Sequence, residues 1–434
     1  MLTLWKGFQG QLRKQPIYWP VSVSMRNAMA LAQQKTEFHV NESTWVDELI
    51  GVHARNLSKQ LQSQRLVLYP PLARKTLRKF TSGEAAKILG VADAYLRQLS
   101  LEGKGPQAEM LPNGRRQYSL EDLHALRRYL DETGKSDRRY MKHRTGSEHL
   151  QVISCVNFKG GSGKTTTSAH LAQYLALQGY RVLAVDLDPQ ASLSALHGIQ
   201  PEFDLDPNQT LYGSIRYDGE QRHPEEIIRK TYFPGLDIIP ANLELMEFEH
   251  ETPKALMDRQ NPSTPFFKRI GMSLKAVEER YDVVVIDCPP QLGFLTLAAL
   301  SASTSMVVTV HPQMLDVMSM CQFLTMASEM LRVVRENGSS MKYDFTRYLI
   351  TRFEPGDGPQ SQMVDFMRTM FGQHVLLNAM LKSTAISDAG LTKQTIYEVS
   401  REQFTKSTFD RAIDAMNNVN GEIETLIKQA WGRV

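Results

Sequence analysis

The sequence predicts an α/β fold in which a mainly parallel, doubly wound sheet follows an N-terminal helix and a small basic module. Beyond Leu150, short apolar runs alternate with amphipathic helical patterns through most of the chain. Runs this continuous suit parallel strands that helices cover on both faces. The 434 residues are 42% hydrophobic and 22% charged, which is ordinary globular composition and excludes wholesale disorder and fibrous repeats.

Two further classes are disfavoured by composition. No stretch reaches the roughly 18 consecutive apolar residues that a membrane span needs. The three cysteines, Cys155, Cys288 and Cys321, are scattered, show no metal spacing and cannot build a disulfide framework. A reducing cytoplasm is therefore the expected location. We expect Cys288 to be a small buried hydrophobe rather than a nucleophile.

Positive charge is concentrated in one segment. Residues 72–144 contain 16 Lys or Arg and 9 Asp or Glu, a net +7, whereas the whole chain carries +3. The remainder therefore carries −4. This distribution favours a nucleic-acid-facing module joined to a separate globular domain, with a merely solvated basic surface as the alternative.

An N-terminal helix is predicted from Asn41 onward. Ser43 or Thr44 could cap it, and its amphipathic pattern covers about five turns. The apolar-face positions recur at helical spacing: Val46, Leu49, Ile50, His53, Leu57 and Leu61. Such a helix could pack on its own domain or serve dimerisation, and the sequence leaves both open.

The predicted domains are an N-terminal extension with this helix over 1–70, a basic module over 71–145 and a larger domain over 146–434. Residues 133–148 are polar, basic and contain glycine, which predicts a linker between the second and third domains.

The basic module has the pattern of two helices and a hairpin. Thr81 and Glu84 form a capping box that opens a first helix, and Gly90 makes a tight turn. A second helix is predicted from Val91. Asn113-Gly114 is the predicted tip of a hairpin, and a further helix follows from Leu120.

This layout resembles a winged helix-turn-helix of the MerR type. The resemblance implies that the second helix, with Tyr95 and Arg97, enters the major groove of DNA. Arg115 and Arg116 in the wing would then hold phosphates. A helix-turn-helix kept for protein contacts is the alternative.

The strongest motif is a glycine-rich loop between a strand and a helix. Seven strands are predicted, at 151–157, 181–186, 236–240, 282–287, 305–310, 346–352 and 375–381. The first leads into the run Phe158-Lys159-Gly160-Gly161-Ser162-Gly163-Lys164-Thr165-Thr166. Glycines let successive backbone N–H groups curl around phosphate oxygens, and the helix N-terminus adds its dipole. This context predicts a P-loop nucleotide-binding site in which Lys164 contacts phosphates and Thr165 contacts Mg²⁺.

The loop departs from the usual P-loop pattern in an informative way. Phe158 stands where the first glycine is expected, and a second lysine, Lys159, precedes the paired glycines. The string resembles the deviant Walker A motif of the ParA/MinD family.

Two later motifs agree with this resemblance. Asp186-Leu187-Asp188-Pro189-Gln190 resembles the family's second motif, which implies that Asp188 positions the attacking water and that Asp186 supports the metal region. The strand Asp282–Asp287 resembles a Walker B strand, with Asp287 holding Mg²⁺ at its C-terminal end.

The resemblance covers roughly residues 150–430 and implies an ATPase that dimerises face to face around two ATP molecules. Lys159 would reach the partner's phosphates, so that the catalytic set is Lys159, Lys164 and Asp188. Arg352 and Pro312, in late loops, are candidate adenine contacts. The predicted cofactor-binding set is Lys159, Gly160, Gly161, Ser162, Gly163, Lys164, Thr165, Thr166, Arg352 and Pro312.

Long-form plasmid partition proteins of the family carry an N-terminal helix-turn-helix, and this layout is similar to the RepA proteins of repABC-type plasmids. The resemblance implies two roles: nonspecific DNA binding in the ATP state to move plasmids with a centromere-binding ParB/RepB-type partner, and repression of its own operon. Lys382, with Lys393 and Arg401, is a candidate for the nonspecific contacts, and a cytoplasmic, nucleoid-associated protein is expected.

Three alternatives share parts of this pattern. A membrane-associated MinD-like ATPase would need a basic C-terminal amphipathic helix, which acidic residues dilute here. A reductase-like relative would need cluster-binding cysteines, and three dispersed ones argue against it. A transcriptional repressor that uses the nucleotide only as a switch would not need Asp188 to position water.

Overall fold

The computed structural model describes residues 18–19, 45–68, 74–134, 139–258, 264–339 and 341–433. The chain divides into two compact units, Met1–Thr76 and Leu77–Val434. In the first unit, strand β1 (Tyr18–Trp19) pairs in parallel with β2 (Arg74–Lys75), and helix α1 covers Val46–Leu68. The predicted helix is therefore present, and its predicted caps, Ser43 and Thr44, lie outside the described residues.

The second unit begins with the basic module. Its elements are β3 (Phe80–Thr81), α2 (Ser82–Leu89), α3 (Asp93–Leu101), β4 (Glu109–Met110), β5 (Arg116–Tyr118) and α4 (Leu120–Thr133). The three strands form an antiparallel sheet in the order β3-β5-β4.

Local sequence signals explain the two helices at the start of this module. The side chains of Thr81 and Glu84 form the predicted capping box at the start of α2. Gly90 adopts a left-handed backbone with φ of 65°, a conformation that glycine alone adopts freely. Helix α3 begins at Asp93 rather than at the predicted Val91, because Val91 N still donates to Ala86 O and closes the preceding helix.

A seven-stranded sheet forms the centre of the larger domain. Its strands are β6 (Gln151–Val156), β7 (Val182–Asp186), β8 (Arg229–Lys230), β9 (Leu236–Ile239), β10 (Val283–Asp287), β11 (Ser305–Val310) and β12 (Phe345–Ile350). Their order is β12-β11-β6-β10-β7-β9-β8, and all pairs are parallel except β8 with β9. Strands β6, β7 and β10 are buried along their whole length, which confirms the predicted α/β sheet with covered faces.

The seventh predicted strand, 375–381, was wrong. This segment runs beside β12 without forming a continuous strand: it makes isolated bridges from Val375 to Tyr348 and from Leu381 to Phe353. Its backbone also donates to β12 at Tyr348 O and Ile350 O. Between the two bridges, the backbone N–H groups of Leu377 and Asn378 donate to the carboxylate of Glu422 at 2.7 and 3.0 Å. A side chain therefore satisfies the donors that a strand partner would otherwise take. The sheet's seventh strand is β8, at the opposite edge.

Helices cover both faces of the sheet. In chain order they are α5 (Lys164–Leu177), α6 (Ser192–Leu196), α7 (Pro201–Asp204), α8 (Tyr212–Ile215), α9 (Pro224–Ile227), α10 (Met246–Met257), α11 (Phe266–Lys275), α12 (Phe294–Ala302), α13 (Met314–Glu336), α14 (Gly358–Phe371), α15 (Thr384–Leu391) and α16 (Lys406–Ala430). Short 3₁₀ turns cover Leu243–Leu245, Glu278–Arg280, Gly372–His374 and Arg401–Gln403.

Helix α16 packs on the larger domain, as the sequence favoured. Its apolar residues Phe409, Met416, Val419, Ile423 and Ile427 are buried in one cluster with residues of α5. In the part of the chain that the structure describes, no helix is both long and apolar enough to cross a bilayer.

The basic module packs directly on the end of helix α5. One hydrophobic cluster runs from Leu123 and Leu126 of α4 to Leu175 and Ala176 of α5. The ring of His124 contacts Ala176 O at 3.0 Å, and burial lowers the pKa of His124 to about 4. At neutral pH the uncharged ring is therefore the donor to this carbonyl.

Arg127 joins three segments at this contact. Its buried guanidinium donates to Leu177 O at the end of α5 (2.9 Å), to Ile88 O in α2 (2.8 Å) and to Tyr140 O (3.0 Å). Gly179 lies beneath it with φ of 91°, and a Cβ there would approach Arg127 Cδ to 2.9 Å.

The predicted linker over 133–148 is a packed segment in its described part, residues 139–148. Arg144 donates to the carbonyls of Glu278, Tyr281 and Glu148 at 2.6–3.0 Å. Lys142 pairs with the buried Glu424 of α16 at 2.6 Å. Lys142 and Arg144, which made this stretch look solvated, instead donate to acceptors of other parts of the domain.

We expect Arg127→Met to lower the free energy of unfolding by roughly 2–4 kcal/mol, since it leaves three carbonyls without their charged donor. Arg128→Met, on the exposed side of the same helix, should change it by less than about 0.5 kcal/mol. Urea unfolding followed by circular dichroism measures both values. Equal stability of the two variants would contradict the role given to Arg127.

Candidate functional site

The predicted phosphate loop lies between β6 and α5 and is fixed by neighbouring strands. Gly161 and Gly163 have φ of 76° and 93°, so both positions favour glycine. The hydroxyl of Thr351 donates to Ser162 O at 2.7 Å. Thr309 of β11 contacts the hydroxyl of Ser162 at 3.0 Å. The loop is therefore held in shape by side chains from adjacent strands.

Lys164 is buried at the base of this loop. Its Nζ donates to Lys159 O at 3.2 Å, inside the curve of the loop. Burial lowers the pKa of Lys164, and the nearby Asp287 carboxylate partly opposes that shift. A buried cation at the N-terminus of a helix is suited to bind a phosphate group.

Two carboxyl groups face each other at the ends of adjacent strands. Asp287 of β10 pairs in register with Asp186 of β7, and both are fully buried. Burial, and then the negative charge of Asp186, raise the pKa of Asp287. Burial also raises the pKa of Asp186, although donors from Ser194 oppose this. Placing two acids this close in a dry site disfavours ionisation of both.

The Asp287 carboxyl is incompletely satisfied. Ser168 Oγ donates to its Oδ1 at 3.2 Å. Within the described chain, its buried Oδ2 accepts no hydrogen bond of normal geometry. The hydroxyl of Thr165 lies close enough to lower the pKa of Asp287 slightly. This donor set, a carboxylate oxygen beside a hydroxyl, fits a magnesium ion that takes its other ligands from water and phosphate.

The described residues hold no cluster of three His, Cys, Asp or Glu that could bind a metal alone.

Asp188 follows β7 at the edge of the same site. Its backbone N–H donates to Asp186 Oδ1 at 3.2 Å, and its own Oδ1 accepts from Gln190 N at 2.9 Å. Asp186 thus fixes the turn that carries Asp188, since it also accepts from Ser194 N and Oγ at 2.8 and 2.7 Å. Sequence reasoning had given Asp186 only a general supporting role.

A cavity of about 530 Å³ opens beside the loop. Its lining includes six predicted cofactor residues of the loop and one from a later loop, together with Asp188: Gly160, Gly161, Gly163, Lys164, Thr165, Thr166 and Arg352. Arg352 has a left-handed backbone and donates to Gly161 O at 3.3 Å. Lys159, Ser162, Asp287 and Pro312 do not line this cavity.

Sequence reasoning missed part of the lining. Met380, Ser383 and Ile386, from the segment before and within α15, and Met416 of α16 complete the wall. Ser383 Oγ is buried and has no hydrogen-bond partner within the described chain. Apolar residues scattered over 37 positions carry no motif, so only the fold brings them together.

Lys159 turns away from the cavity of its own protomer. Its Nζ pairs with Asp316 Oδ2 at 2.7 Å, in the first turn of α13. The loop's two lysines therefore point in different directions, with Lys164 inside the loop and Lys159 outside it.

The candidate DNA contacts in the basic module lie at its surface. Tyr95 and Arg97 are exposed on α3, where Arg97 pairs with Asp93 at 2.5 Å. Arg115 is exposed at the hairpin, whereas Arg116 is half-buried and donates to Ser100 Oγ at 3.2 Å. Arg116 therefore fixes the hairpin to α3.

The candidate DNA contacts of the larger domain occupy different surroundings. Lys382 lines the cavity and pairs with Glu354 at 2.9 Å. Arg401 pairs with Asp410 at 2.5 Å. Lys393 has a left-handed backbone, with φ of 52°.

The two buried cysteines behave as small hydrophobes. Cys155 and Cys288 lie in the core, and burial raises the pKa of both thiols. This agrees with the interpretation of Cys288 from sequence.

A glycine loop with a buried lysine between a parallel strand and a helix, beside an acidic strand end, defines a P-loop nucleoside triphosphatase fold. Comparisons with known proteins agree. Residues 150–338 match the family model described as an AAA domain. A "Putative replication protein A" of Rhizobium rhizogenes is 61% identical over 385 residues, covering 89% of this chain and 95% of that protein. Protein SopA of Escherichia coli K12 is 31% identical over 369 residues, covering 83% of this chain and 92% of SopA.

Solved structures show the same fold. A structure described as "Partition Protein" aligns with a TM-score of 0.57 at 22% identity, covering 84% of this chain and 98% of that one. An ATP complex of a McdA variant from Cyanothece aligns with a TM-score of 0.52 at 18% identity, covering 66% of this chain and 98% of the McdA chain. This chain belongs to the ParA/MinD family of ATPases.

Stability should depend on pH through the buried acids. Because the pKa values of Asp186 and Asp287 are raised, the folded protein binds more protons than the unfolded chain above the ordinary carboxyl pKa of about 4. Stability without magnesium should therefore fall as pH rises from that value through neutrality.

We expect Asp287→Asn to have a higher free energy of unfolding than the unmodified protein, by on the order of 1–3 kcal/mol at pH 8 in EDTA. Near pH 4 the two free energies of unfolding should be almost equal. Chemical denaturation across this range gives the values. Asp365→Asn, at an exposed aspartate of α14, is the control. A difference between Asp287→Asn and the unmodified protein that does not change with pH would refute this account.

Proposed function

We propose that this protein is a plasmid partition ATPase that binds ATP with Mg²⁺ and dimerises around it. The observation that carries the proposal is the loop with two lysines, one inside its own cavity and one turned outward. The names of its relatives, SopA and a partition protein, agree with this function.

The residues of the cavity suit a triphosphate. Lys164 and the N–H groups of the loop would bind the phosphates, and Thr165 with Asp287 would hold magnesium. Magnesium, when bound, offsets phosphate charge and the repulsion between the two acids. Met380, Ile386 and Met416 offer apolar surface for a base, with Arg352 at the edge. Pro312, which lies outside the lining, is not part of this proposal.

Hydrolysis would depend on Asp188. It lies at the cavity on a turn that Asp186 fixes, so its carboxylate can orient a water molecule toward the phosphates. A repressor that used the nucleotide only as a switch would not need this residue.

Lys159 would act on the other protomer. A cation supplied by a partner stabilises charge on the transferring phosphoryl group, and ties dimerisation to the triphosphate state. The outward direction of its side chain supports this role.

DNA contacts are proposed at two places. The exposed face of α3 with Tyr95 and Arg97, and the hairpin with Arg115, would act as a winged helix-turn-helix that binds the operator of its own operon. Basic residues of the larger domain, Lys393 and Arg401 among them, would bind DNA without sequence preference and move the plasmid with a centromere-binding partner.

The proposed hydrolysis is tested with Asp188→Ala. Turnover of ATP with DNA and magnesium should fall by at least about a hundredfold, whereas binding of a fluorescent ATP analogue should be kept. Glu336→Ala, at an exposed acid at the end of α13, should leave both unchanged. If Asp188→Ala hydrolyses ATP normally, a nucleotide-switched repressor becomes the better function.

The proposed operator contact is tested with Arg115→Ala. Affinity for the promoter fragment upstream of its own gene should fall, and the slope of log affinity against log salt should decrease by about 1, because one phosphate contact is lost. Lys87→Ala, at an exposed lysine on α2 of the same module, is the control. An unchanged slope for Arg115→Ala would rule out a phosphate contact at the hairpin.

A further inference from the structure

Helix α3 of the basic module carries one amide side chain, and that side chain faces solvent. The helix buries Leu96 and Leu99 against its own module and leaves Gln98 exposed on the opposite side. Sequence reasoning named Tyr95 and Arg97 as the DNA contacts of this helix and missed Gln98. The surroundings of Gln98 show that its amide has a fixed orientation.

The end of α3 is closed by a tight turn. Gly103 has a left-handed backbone with φ of 66°, and its N–H donates to Ser100 O at 3.4 Å. The N–H of Lys104 donates to Leu99 O at 2.9 Å. These two bonds form a Schellman motif, which glycine in this conformation permits. The turn places Lys104 Nζ 2.7 Å from Glu102 Oε2, so that the carboxylate presents less negative charge to approaching phosphates.

Glu102 in turn fixes the Gln98 amide. Gln98 Nε2 donates to Glu102 Oε1 at 2.7 Å, one helical turn away. Hydrogen bonds from Lys104 and then from Gln98 lower the pKa of Glu102, so its carboxylate is ionised at neutral pH and can only accept. The nitrogen of the amide, and not its oxygen, must therefore face Glu102.

The hydrogen-bonding groups that remain on Gln98 match the major-groove edge of adenine. A glutamine amide has two N–H donors and one carbonyl oxygen. Glu102 accepts one N–H, which leaves one donor beside the oxygen. Adenine presents an acceptor at N7 and a donor at its N6 amino group, so the two edges are complementary. Guanine presents acceptors at both N7 and O6, and its O6 would face the amide oxygen.

We propose that Gln98 contacts an adenine of the operator in the major groove, and that Glu102 is a positioning residue that orients the Gln98 amide. The proposal rests on the operator binding by α3 proposed above and assigns a base to it. Arg97 differs from Gln98 because it pairs with Asp93 and carries only donors, which suit guanine or a phosphate.

The test measures the affinity of the full-length protein for the promoter fragment upstream of its own gene, by fluorescence anisotropy at fixed salt. Each A·T pair of the protected region is replaced in turn by G·C. For the unmodified protein, replacing the pair that Gln98 contacts should weaken binding by about fivefold to a hundredfold. In Gln98→Ala this penalty should disappear, whereas the penalties at the other pairs persist. Gln373→Ala, at an exposed glutamine of the larger domain, should keep every penalty.

A second variant tests the positioning role of Glu102. Glu102→Ala should reduce the penalty at the same pair by about twofold to fivefold, because the amide is then free to rotate before binding. Comparing two fragments cancels the general gain in DNA affinity from the lost negative charge. In a Gln98→Ala background, Glu102→Ala should change no penalty. A change of equal size in both backgrounds would show that Glu102 does not act through Gln98, and would overturn its role.

The contact with adenine is overturned if Gln98→Ala keeps the penalty at every A·T pair, or if all the penalties weaken together. Failure of the proposed operator binding gives a different result. An unmodified protein that binds the promoter fragment no better than a scrambled fragment of equal length removes the operator function, and the role of Gln98 with it. An unmodified protein whose penalties all persist in Gln98→Ala removes only the role of Gln98.

Discussion

The site depends on the parallel pairing of β6, β10 and β7. Because the carboxyl ends of these strands meet at one edge of the sheet, the phosphate loop, Asp287 and Asp186 lie close together. The same pairing places two buried acids opposite each other in register, which costs stability unless a nearby cation offsets their charge. The protein therefore folds with two carboxyl groups of raised pKa at the edge of the sheet where the phosphate loop lies.

Much of this arrangement follows from the sequence because the signals are local. A buried strand, a glycine loop and a helix lie within 27 residues. The capping box of Thr81 and Glu84 is recognised from four consecutive residues. Asp287 ends an apolar strand and Asp188 closely follows one, so their place at the sheet edge could be predicted.

What the sequence could not show are contacts between distant residues. The wall of the cavity combines Met380 with Met416, which share no sequence pattern. The carboxylate of Glu422 accepts hydrogen bonds from the backbone N–H groups of residues 377 and 378. The apolar run around them therefore forms no strand, although its sequence predicts one. Residues 139–148 read as a linker because basic residues suggest solvent, but Lys142 and Arg144 meet buried acceptors supplied by other elements.

The direct packing of α4 on α5 constrains any operator that this protein binds. Arg127 ties the module that carries α3 to the helix that begins at Lys164. In a symmetric dimer, the distance between the two copies of α3 would then be set by the ATPase body. Half-sites would have to keep a fixed separation, and inserting five base pairs, about half a helical turn, would place the second half-site on the wrong face of the duplex.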